Sequence, residues 1–228
     1  MAISDLLIFD CDGVLVDSET ISVAVLLDTL GEAGVALTED VAYARFLGRS
    51  MASIVEILEA DYGLAITGSH LEGIRNRLYE RFRRDLKATR GVCHALDLIA
   101  NPRCVASSSQ PDRIRLSLAL AGLLDCFEPN IYSSSMVKHG KPSPDLFLHA
   151  ARSMGVPPAG AIVIEDSPAG VEAAQRAGMR VFAYAGGSHV LPGKVRPALE
   201  ALRPDVVFDD MVDLPALVAR ESGRPGVP

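Results

Sequence analysis

The sequence predicts an α/β fold in which a doubly wound parallel sheet carries an inserted all-helical domain. Two observations predict the sheet: four short apolar runs occur along the chain, and helical segments lie between them. A third observation predicts the insertion, because a long stretch after the first run shows only helical spacing. Strands that alternate with helices indicate βαβ units, and such units build parallel sheets.

The four apolar runs are the expected strands, at residues 6–9, 104–106, 161–164 and 181–183. Runs this short, without polar alternation, fit strands that are covered on both faces. The expected helices of the sheet domain are residues 111–120, 144–154 and 168–177. Each begins at a proline, and Gly178 follows the last one, which is the usual punctuation of helices.

Residues 18–86 are the predicted insertion, and residues 1–17 and 87–228 the predicted sheet domain. Within the insertion, apolar residues recur at helical spacing, for example Leu71, Ile74, Leu78 and Phe82. We expect these four to face the interior and the neighbouring arginines to face solvent. The last residues, 221–228, are expected to form a frayed tail.

The composition argues against several classes of function. The 228 residues include 22 Lys and Arg against 29 Asp and Glu, a net charge of −7, which disfavours binding to nucleic acid or to an anionic membrane. No apolar run approaches the roughly 18–20 residues that span a bilayer, and the first five residues do not resemble a signal peptide. Four irregularly spaced cysteines are typical of free thiols in a reducing compartment. We therefore expect a cytoplasmic protein that binds neither a nucleic acid polymer nor a membrane. Independently of the composition, a monomer is expected.

Asp10 and Asp12 directly follow the first predicted strand. Because side chains alternate along an extended chain, both carboxylates point to the same side and can share a site. A calcium-binding loop would need Asp or Asn at position 14 and Gly at position 15, where this chain has Val14 and Leu15. Taken alone, the pair is also compatible with a solvated turn.

A second acidic pair, Glu165 and Asp166, directly follows the strand predicted at 161–164. Ligands of parallel sheets bind outside the carboxyl ends of the strands, where both acidic pairs fall. Carboxylates 4 Å apart repel one another by roughly 1–4 kcal/mol per pair, and a bound cation is the usual resolution. Hard oxygen ligands that leave room for a phosphate favour Mg²⁺.

Two further segments are compatible with a phosphate site. Ser107, Ser108 and Ser109 follow the second predicted strand and precede a helix, so their hydroxyls and backbone N–H groups can bind an anion. Such a serine run is more often a capped loop. Lys141 is a single loop lysine, which is usually solvated, but a phosphate site lined by carboxylates needs a positive charge near its nucleophile.

These four elements, in this order, resemble the four motifs of the haloacid dehalogenase superfamily. The matching segments are Asp10–Asp17, Ser107, Lys141–Asp145 and Glu165–Val171. The resemblance covers nearly the whole chain, and the most similar subgroup is the β-phosphoglucomutase-like phosphatases. It implies a Rossmann-like core, and it identifies the helical insertion as a cap over the active site.

The resemblance implies a Mg²⁺-dependent phosphatase that works through an aspartyl-phosphate intermediate. Asp10 is then the nucleophile, and Asp12 the acid and base, with a pKa raised by the crowd of carboxylates. Lys141 would neutralise Asp10 and the phosphate, while Ser107 and Ser108 hold the phosphoryl oxygens. The implied Mg²⁺ ligands are Asp10, the Asp12 carbonyl, Asp166 and, directly or through water, Glu165.

The expected substrate is a small phosphorylated metabolite, a sugar or sugar-acid phosphate. A sugar phosphomutase is the first alternative, but its cap histidine aligns with Ser22, which favours net hydrolysis. Arg49, in Gly48-Arg49-Ser50, either clamps a distal anionic group of the substrate or belongs to an ordinary turn. Asp12 argues against dehalogenation. The non-enzymatic alternatives are a phospho-accepting switch domain and a silent binding protein.

Overall fold

The computed structural model describes residues 5–190 and 195–221. Its centre is a six-stranded parallel sheet in the order β3-β2-β1-β4-β5-β6. The strands are β1 Leu6–Phe9, β2 Arg103–Ser107, β3 Ile131–Ser133, β4 Ala161–Glu165, β5 Arg180–Tyr184 and β6 Val206–Phe208. The chain adds strands on both sides of β1, so the sheet is doubly wound, as predicted.

Helices cover both faces of this sheet. They are α5 Val92–Leu98, α6 Pro111–Leu120, α7 Asp145–Ser153, α8 Pro168–Arg176, α9 Val195–Ala201 and α10 Leu214–Glu221. Helices α5, α6 and α10 pack with Leu7 and Phe9 on one face, and α7, α8 and α9 pack with Leu6 and Ile8 on the other. All four residues of β1 are therefore buried, which explains why its sequence lacks polar alternation.

The four strands predicted from apolar runs are present, and the two edge strands were missed. Strands β3 and β6 have three residues each, and Tyr132, Val206 and Val207 in them are only partly buried. Neither strand is long or apolar enough to produce a recognisable run. The three predicted helices are confirmed as α6, α7 and α8, whereas the predicted frayed tail beyond Glu221 lies outside the described residues.

Four helices between β1 and α5 form a bundle that we call the cap: α1 Glu19–Glu32, α2 Glu39–Phe46, α3 Met51–Tyr62 and α4 Gly68–Asp85. Residues 19–85 contain no strand, as the helical spacing predicted. In α4, Ile74, Leu78 and Phe82 are buried as expected, but Leu71 is only partly buried. The two segments that connect the cap to the sheet domain lie next to each other, and the Asp17 N–H of one donates to the Lys87 carbonyl of the other over 3.0 Å.

None of the helices in residues 5–190 and 195–221 is both long enough and apolar enough to cross a membrane.

Candidate active site

The four sequence motifs meet at the carboxyl edge of the sheet. Asp10 follows β1, Ser107 ends β2, Glu165 ends β4, and Lys141 lies in the loop after β3. These strands are neighbours in a parallel sheet, so their carboxyl ends open on the same side. The topology therefore brings together residues that lie up to about 155 positions apart in the sequence.

Lys141 links two of the carboxylates. Its Nζ donates to Oδ1 of Asp10 over 2.7 Å and to Oε1 of Glu165 over 2.5 Å, and all three side chains are buried. Burial alone would lower the pKa of Lys141, but the charges of Asp10 and Glu165 outweigh it and raise the pKa above its usual value. The ammonium stays charged. Its Nζ also lies 4.9 Å from the ring centroid of Phe147, which adds a cation–π contact.

Three carboxylates converge beside this lysine. Asp10, Glu165 and Asp166 each offer an oxygen, and these oxygens lie within 4.8 Å of one another. Burial raises the pKa of both Asp10 and Asp166 well above the usual range; neighbouring carboxylates add to the increase, and Lys141 opposes it. The local negative charge thus exceeds what one ammonium neutralises.

The acidic cluster fits a divalent cation such as Mg²⁺. All its donors are hard oxygen atoms, which this ion prefers. Oδ2 of Asp166 is buried and accepts no hydrogen bond from any described residue. Nε2 of His189 lies 3.0 Å from that oxygen, in an orientation that makes no hydrogen bond. A buried carboxylate oxygen without a donor is the atom that a cation would satisfy.

Glu165 is held more tightly than its two neighbours. Its Oε2 accepts hydrogen bonds of 2.9 Å from the N–H groups of Asp166 and Ser167 and from the Ser167 hydroxyl. Its Oε1 already receives Lys141. Both oxygens are therefore engaged, and in this structure Glu165 chiefly orients the lysine.

Asp12 has a different environment from the one expected. Its carboxylate accepts hydrogen bonds from the Ser18 and Ser109 hydroxyls, both over 2.6 Å, and from Nη2 of Arg113 over 2.8 Å. Burial raises the pKa of Asp12, but the Arg113 charge and the two hydroxyl donors outweigh burial and leave the pKa below its usual value. The predicted increase in the pKa of Asp12 was wrong. The nearest groups to this carboxylate are a guanidinium and two hydroxyls, and not the other carboxylates.

Arg113 is the main residue that sequence reasoning missed. It lies in the first turn of α6, largely buried, and its Nη2 also donates to the Ser22 hydroxyl over 3.0 Å. Its guanidinium lies 5.3 Å from the Phe82 ring centroid. A cation in the first turn of a helix opposes the helix dipole, and this is the one sequence signal that points to it. Arg113 thereby connects Asp12 to α1 and α4 of the cap.

Replacing Arg113 with methionine is expected to lower kcat by about 10²-fold, because Asp12 loses the partner that fixes its orientation. We also expect the free energy of unfolding to fall by about 3 kcal/mol, since a mostly buried carboxylate loses its counter-charge. Steady-state kinetics and urea unfolding measure both effects.

Arg115→Met is the matched control for this substitution. Arg115 is partly exposed on the same helix and pairs with Glu128 near the surface over 2.8 Å, an interaction that contributes at most about 1 kcal/mol. Combining Arg113→Met with Asp12→Asn should restore most of the lost stability, because no uncompensated charge is left. Equal kinetics and stability in the Arg113 and Arg115 variants would show that Arg113 does not position Asp12.

The serine loop after β2 contacts both the sheet domain and the cap. Oγ of the buried Ser107 accepts a hydrogen bond from the Ser109 N–H over 3.1 Å. The Ser108 hydroxyl donates to the Gly48 carbonyl of the cap over 2.9 Å. The Ser109 hydroxyl, which the sequence placed in the candidate anion site, donates to Asp12 instead. The Ser107 side chain and the Ser108 N–H are the two candidate phosphate donors.

A second serine run supports this loop. The hydroxyls of Ser133 and Ser134 donate to the carbonyls of Ser109 and Ser108 over 2.7 and 2.8 Å. Within this run, the Ser135 N–H donates to Ser133 Oγ, which is a local capping hydrogen bond. The run therefore braces the candidate phosphate loop from the neighbouring strand.

Two glycines permit close backbone approaches at the site. Gly13 has φ +79°, and a Cβ there would overlap Oδ2 of Asp166. Gly48, in the loop between α2 and α3, has φ +73°, and a Cβ there would overlap the Ser167 hydroxyl. Both positions therefore require glycine, for conformation and for space. The Gly48 contact places the cap loop, and with it Arg49, directly over the carboxyl edge of the sheet.

A cavity of about 760 Å³ lies between the cap and the sheet domain. Asp10, Asp12 and the serine loop line one part of it, and Ser22 and Arg49 of the cap line another. Glu19, at the start of α1, also lines this cavity. Burial, with the charge of Asp12 added, raises the pKa of Glu19 to about 8. The candidate residues of the first two motifs thus face one cavity. Lys141, Glu165 and Asp166, from the other two motifs, lie on the far side of Asp10 and do not line it.

Several known proteins are similar to this chain, and a family model matches most of it. A family model described as haloacid dehalogenase-like hydrolase matches residues 7–184. The 6-phosphogluconate phosphatase of Escherichia coli is 31% identical over 185 residues, which are 81% of this chain and 84% of that protein. The fructose-1-phosphate phosphatase of the same organism is 30% identical over 184 residues, 76% of this chain and 92% of that protein.

One similar solved structure covers nearly the whole chain. A haloacid dehalogenase-like protein of unknown function from Agrobacterium tumefaciens has a TM-score of 0.80 and 38% identity, and the match covers 95% of this chain and 98% of that one. The residues matched by the family model include every motif segment from Asp10 to Val171.

Proposed function

Because the chain belongs to the haloacid dehalogenase-like hydrolase family and is a phosphoric monoester hydrolase, we propose that it is a Mg²⁺-dependent phosphatase that works through a phosphorylated Asp10. The observation that carries this proposal is the buried Lys141, which contacts Asp10 and Glu165 beside the serine loop. The proposed substrate is a small phosphorylated metabolite, a sugar or sugar-acid phosphate. The names of the two Escherichia coli relatives support this class.

In the first half-reaction, a carboxylate oxygen of Asp10 attacks phosphorus, and the bond from phosphorus to the substrate's alcohol oxygen breaks. Lys141 balances the charge on Asp10 and the phosphoryl group, and the Ser107 hydroxyl and Ser108 N–H hold phosphoryl oxygens. Asp12 gives its proton to the departing alcohol. The products of this step are the free alcohol and phosphorylated Asp10.

In the second half-reaction, Asp12 takes a proton from water as the water oxygen attacks the same phosphorus. The bond between phosphorus and Asp10 then breaks, and the products are inorganic phosphate and the original carboxylate. Each proton that Asp12 gives in the first step returns to it in the second. Arg113, Ser18 and Ser109 keep the Asp12 carboxylate oriented through both steps.

Asp12 needs a proton before it can act as an acid, and its pKa without substrate lies below the usual value. We propose that the bound substrate raises the pKa of Asp12. An arriving phosphate brings negative charge next to Asp12, and a like charge raises the pKa of a carboxyl group. The substrate thus prepares the acid that its own cleavage requires.

Asp10, Asp166 and the Asp12 carbonyl are the proposed Mg²⁺ ligands, with Glu165 contributing directly or through water. When bound, the ion neutralises the carboxylates and the charge that develops on the phosphoryl group. Gly13 leaves room for Asp166 in this arrangement.

Two alternatives remain as outcomes of the test. A phosphomutase needs a group in the cap that exchanges protons with the sugar, but Ser22 donates its hydroxyl to the Ser18 carbonyl and receives Arg113. A phospho-accepting switch would keep its phosphate, whereas Asp12 lines the same cavity as Asp10 and favours turnover.

The test is phosphate release from a panel of sugar phosphates, sugar-acid phosphates and nucleotides, with Mg²⁺ and with EDTA. We expect release with Mg²⁺ and a loss of at least about 10²-fold with EDTA, because the carboxylate cluster is then without its counter-charge. Mg²⁺ should restore the rate. Conversion of glucose 1-phosphate to its 6-phosphate isomer without release of phosphate would identify a mutase. A stable phosphoprotein would identify a phospho-accepting switch. Full activity in EDTA would reject the metal site.

Arg49 is proposed to contact the end of the substrate that lies away from the phosphate. It lines the cavity beside Gly48, and the described residues offer its side chain no ion pair. Arg49→Ala should raise KM about tenfold for substrates with a second anionic group and much less for those without one. Arg83, exposed on the outside of α4, is the control. A uniform effect across substrates would assign Arg49 to the turn alone.

A further inference from the structure

The chemistry of the large cavity changes between the sheet domain and the cap. Its volume of about 760 Å³ lies in the upper part of the roughly 300–1,000 Å³ that holds drug-sized ligands. A sugar phosphate without substituents is smaller than such ligands. The cavity therefore offers more room than the proposed phosphate site and one sugar need.

Polar groups are concentrated near the phosphate site. Ser22 is connected to Asp12 through Arg113, and Gln110 follows the serine loop directly. Arg49 adjoins Gly48, whose carbonyl receives Ser108. All these groups line the cavity within one or two contacts of the serine loop or Asp12. Ser22 and Gln110 suit the hydroxyls of a sugar attached to the phosphate, and Arg49 suits the end of that sugar that lies away from the phosphate.

Apolar side chains from all four cap helices form the rest of the wall. They are Val23 and Leu26 of α1, Phe46 of α2, Val55 of α3, and Leu71 and Leu78 of α4. The ring of Tyr79, half-buried on α4, belongs to the same wall. Sugar hydroxyls placed here would lose their hydrogen bonds to water without replacement, which weakens binding. An aromatic or aliphatic group would instead bury apolar surface.

Charged residues appear again where the cavity meets solvent. Glu56, Glu72 and Arg75 line it and are exposed, and Arg75 lies 3.9 Å from Glu72. Such a rim can hydrogen-bond the polar edge of a flat ring whose faces contact the apolar wall. The partly buried position of Leu71, which the helical pattern expected in the interior, has the same explanation: it faces the cavity.

We propose that the preferred substrate is a sugar phosphate whose sugar carries a bulky aromatic or apolar group, as a nucleoside 5′-monophosphate does, and that this group binds between α1, α3 and α4 of the cap. The inference rests on the proposed phosphatase activity and specifies its substrate class. The phosphate and sugar occupy the polar part of the cavity, and the ring occupies the apolar part.

Matched substrate pairs test the proposal on the whole 228-residue chain with Mg²⁺. Ribose 5-phosphate is compared with the four common ribonucleoside 5′-monophosphates, and ribitol 5-phosphate with flavin mononucleotide. Each pair shares its phosphate ester and differs in the ring. We expect kcat/KM at least tenfold higher for at least one ring-bearing ester than for its parent. If ring-free esters are hydrolysed equally well or better, the inference fails and the phosphatase stands. If no ester is hydrolysed, both fail.

A cavity-filling substitution then locates the ring. Ala52 and Ala60 are both exposed on α3, but only Ala52 lines the cavity. Ala52→Trp should lower the ratio of kcat/KM between the ring-bearing ester and its parent at least tenfold, whereas Ala60→Trp should leave the ratio unchanged. Thermal unfolding of both variants verifies that they fold. An unchanged ratio in a folded Ala52→Trp variant would overturn the placement of the ring in the cap.

Discussion

We expect the Asp10→Asn variant to release phosphate at least about 10³-fold more slowly than the unchanged protein, with its fold intact. The amide has no carboxylate oxygen to attack phosphorus, so no phosphorylated intermediate forms. The fold persists because asparagine has the same shape and its oxygen still accepts the hydrogen bond from Lys141. Burial already disfavours the charge of Asp10, so its removal costs the fold little.

Asp97→Asn is the matched control, because Asp97 is exposed on α5, away from the carboxyl edge of the sheet. Initial rates of phosphate release, circular dichroism and thermal unfolding compare the two variants with the unchanged protein. Substantial phosphate release by a folded Asp10→Asn protein would remove Asp10 as the nucleophile.

The Lys141→Met variant is expected to lose both activity and stability. Methionine keeps most of the length of the side chain and can still pack against Phe147, but the cation–π contact is lost and Asp10 and Glu165 lose their shared counter-charge. Removing one partner of a buried ion pair typically costs about 3–5 kcal/mol of unfolding free energy. The rate should fall by at least about 10²-fold, since no cation then balances Asp10 and the phosphate.

A second substitution separates the two effects of Lys141. In the double variant Lys141→Met with Glu165→Gln, one of the two uncompensated charges is gone. Much of the stability should therefore return, while activity stays low. Urea unfolding and phosphate release measure the two quantities independently. A Lys141→Met protein as stable and active as the unchanged one would contradict the bridging role.

The sequence predicted those strands and helices whose own residues show a recognisable hydrophobic pattern. The four central strands are buried on both faces, so they appear as unbroken apolar runs. The cap helices were visible because their apolar residues repeat at helical spacing. Strands β3 and β6 were invisible, since a three-residue edge strand is defined by its neighbour in the sheet and not by its own residues.

The residues of the candidate site also fall into those that the sequence predicted and those that it did not. The meeting of Asp10, Ser107 and Glu165 at one edge was predictable, because each directly follows or ends a recognisable strand and parallel strands open on the same edge. Arg113 and His189 were missed because they reach the site through tertiary packing, from a helix and from a loop before the undescribed residues 191–194. The lowered pKa of Asp12 follows from the first of these contacts and was unpredictable without it.

Trapping the phosphorylated intermediate tests the central claim most directly. Excess protein is mixed with a hydrolysed substrate and Mg²⁺, the reaction is stopped with acid within milliseconds, and peptides are mapped by mass. The account predicts one phosphoryl group on the peptide that contains Asp10, no such group in Asp10→Asn, and a longer-lived one in Asp12→Ala, where water is not activated. Release of phosphate with no phosphorylated peptide, or with the group on Ser107, would contradict it.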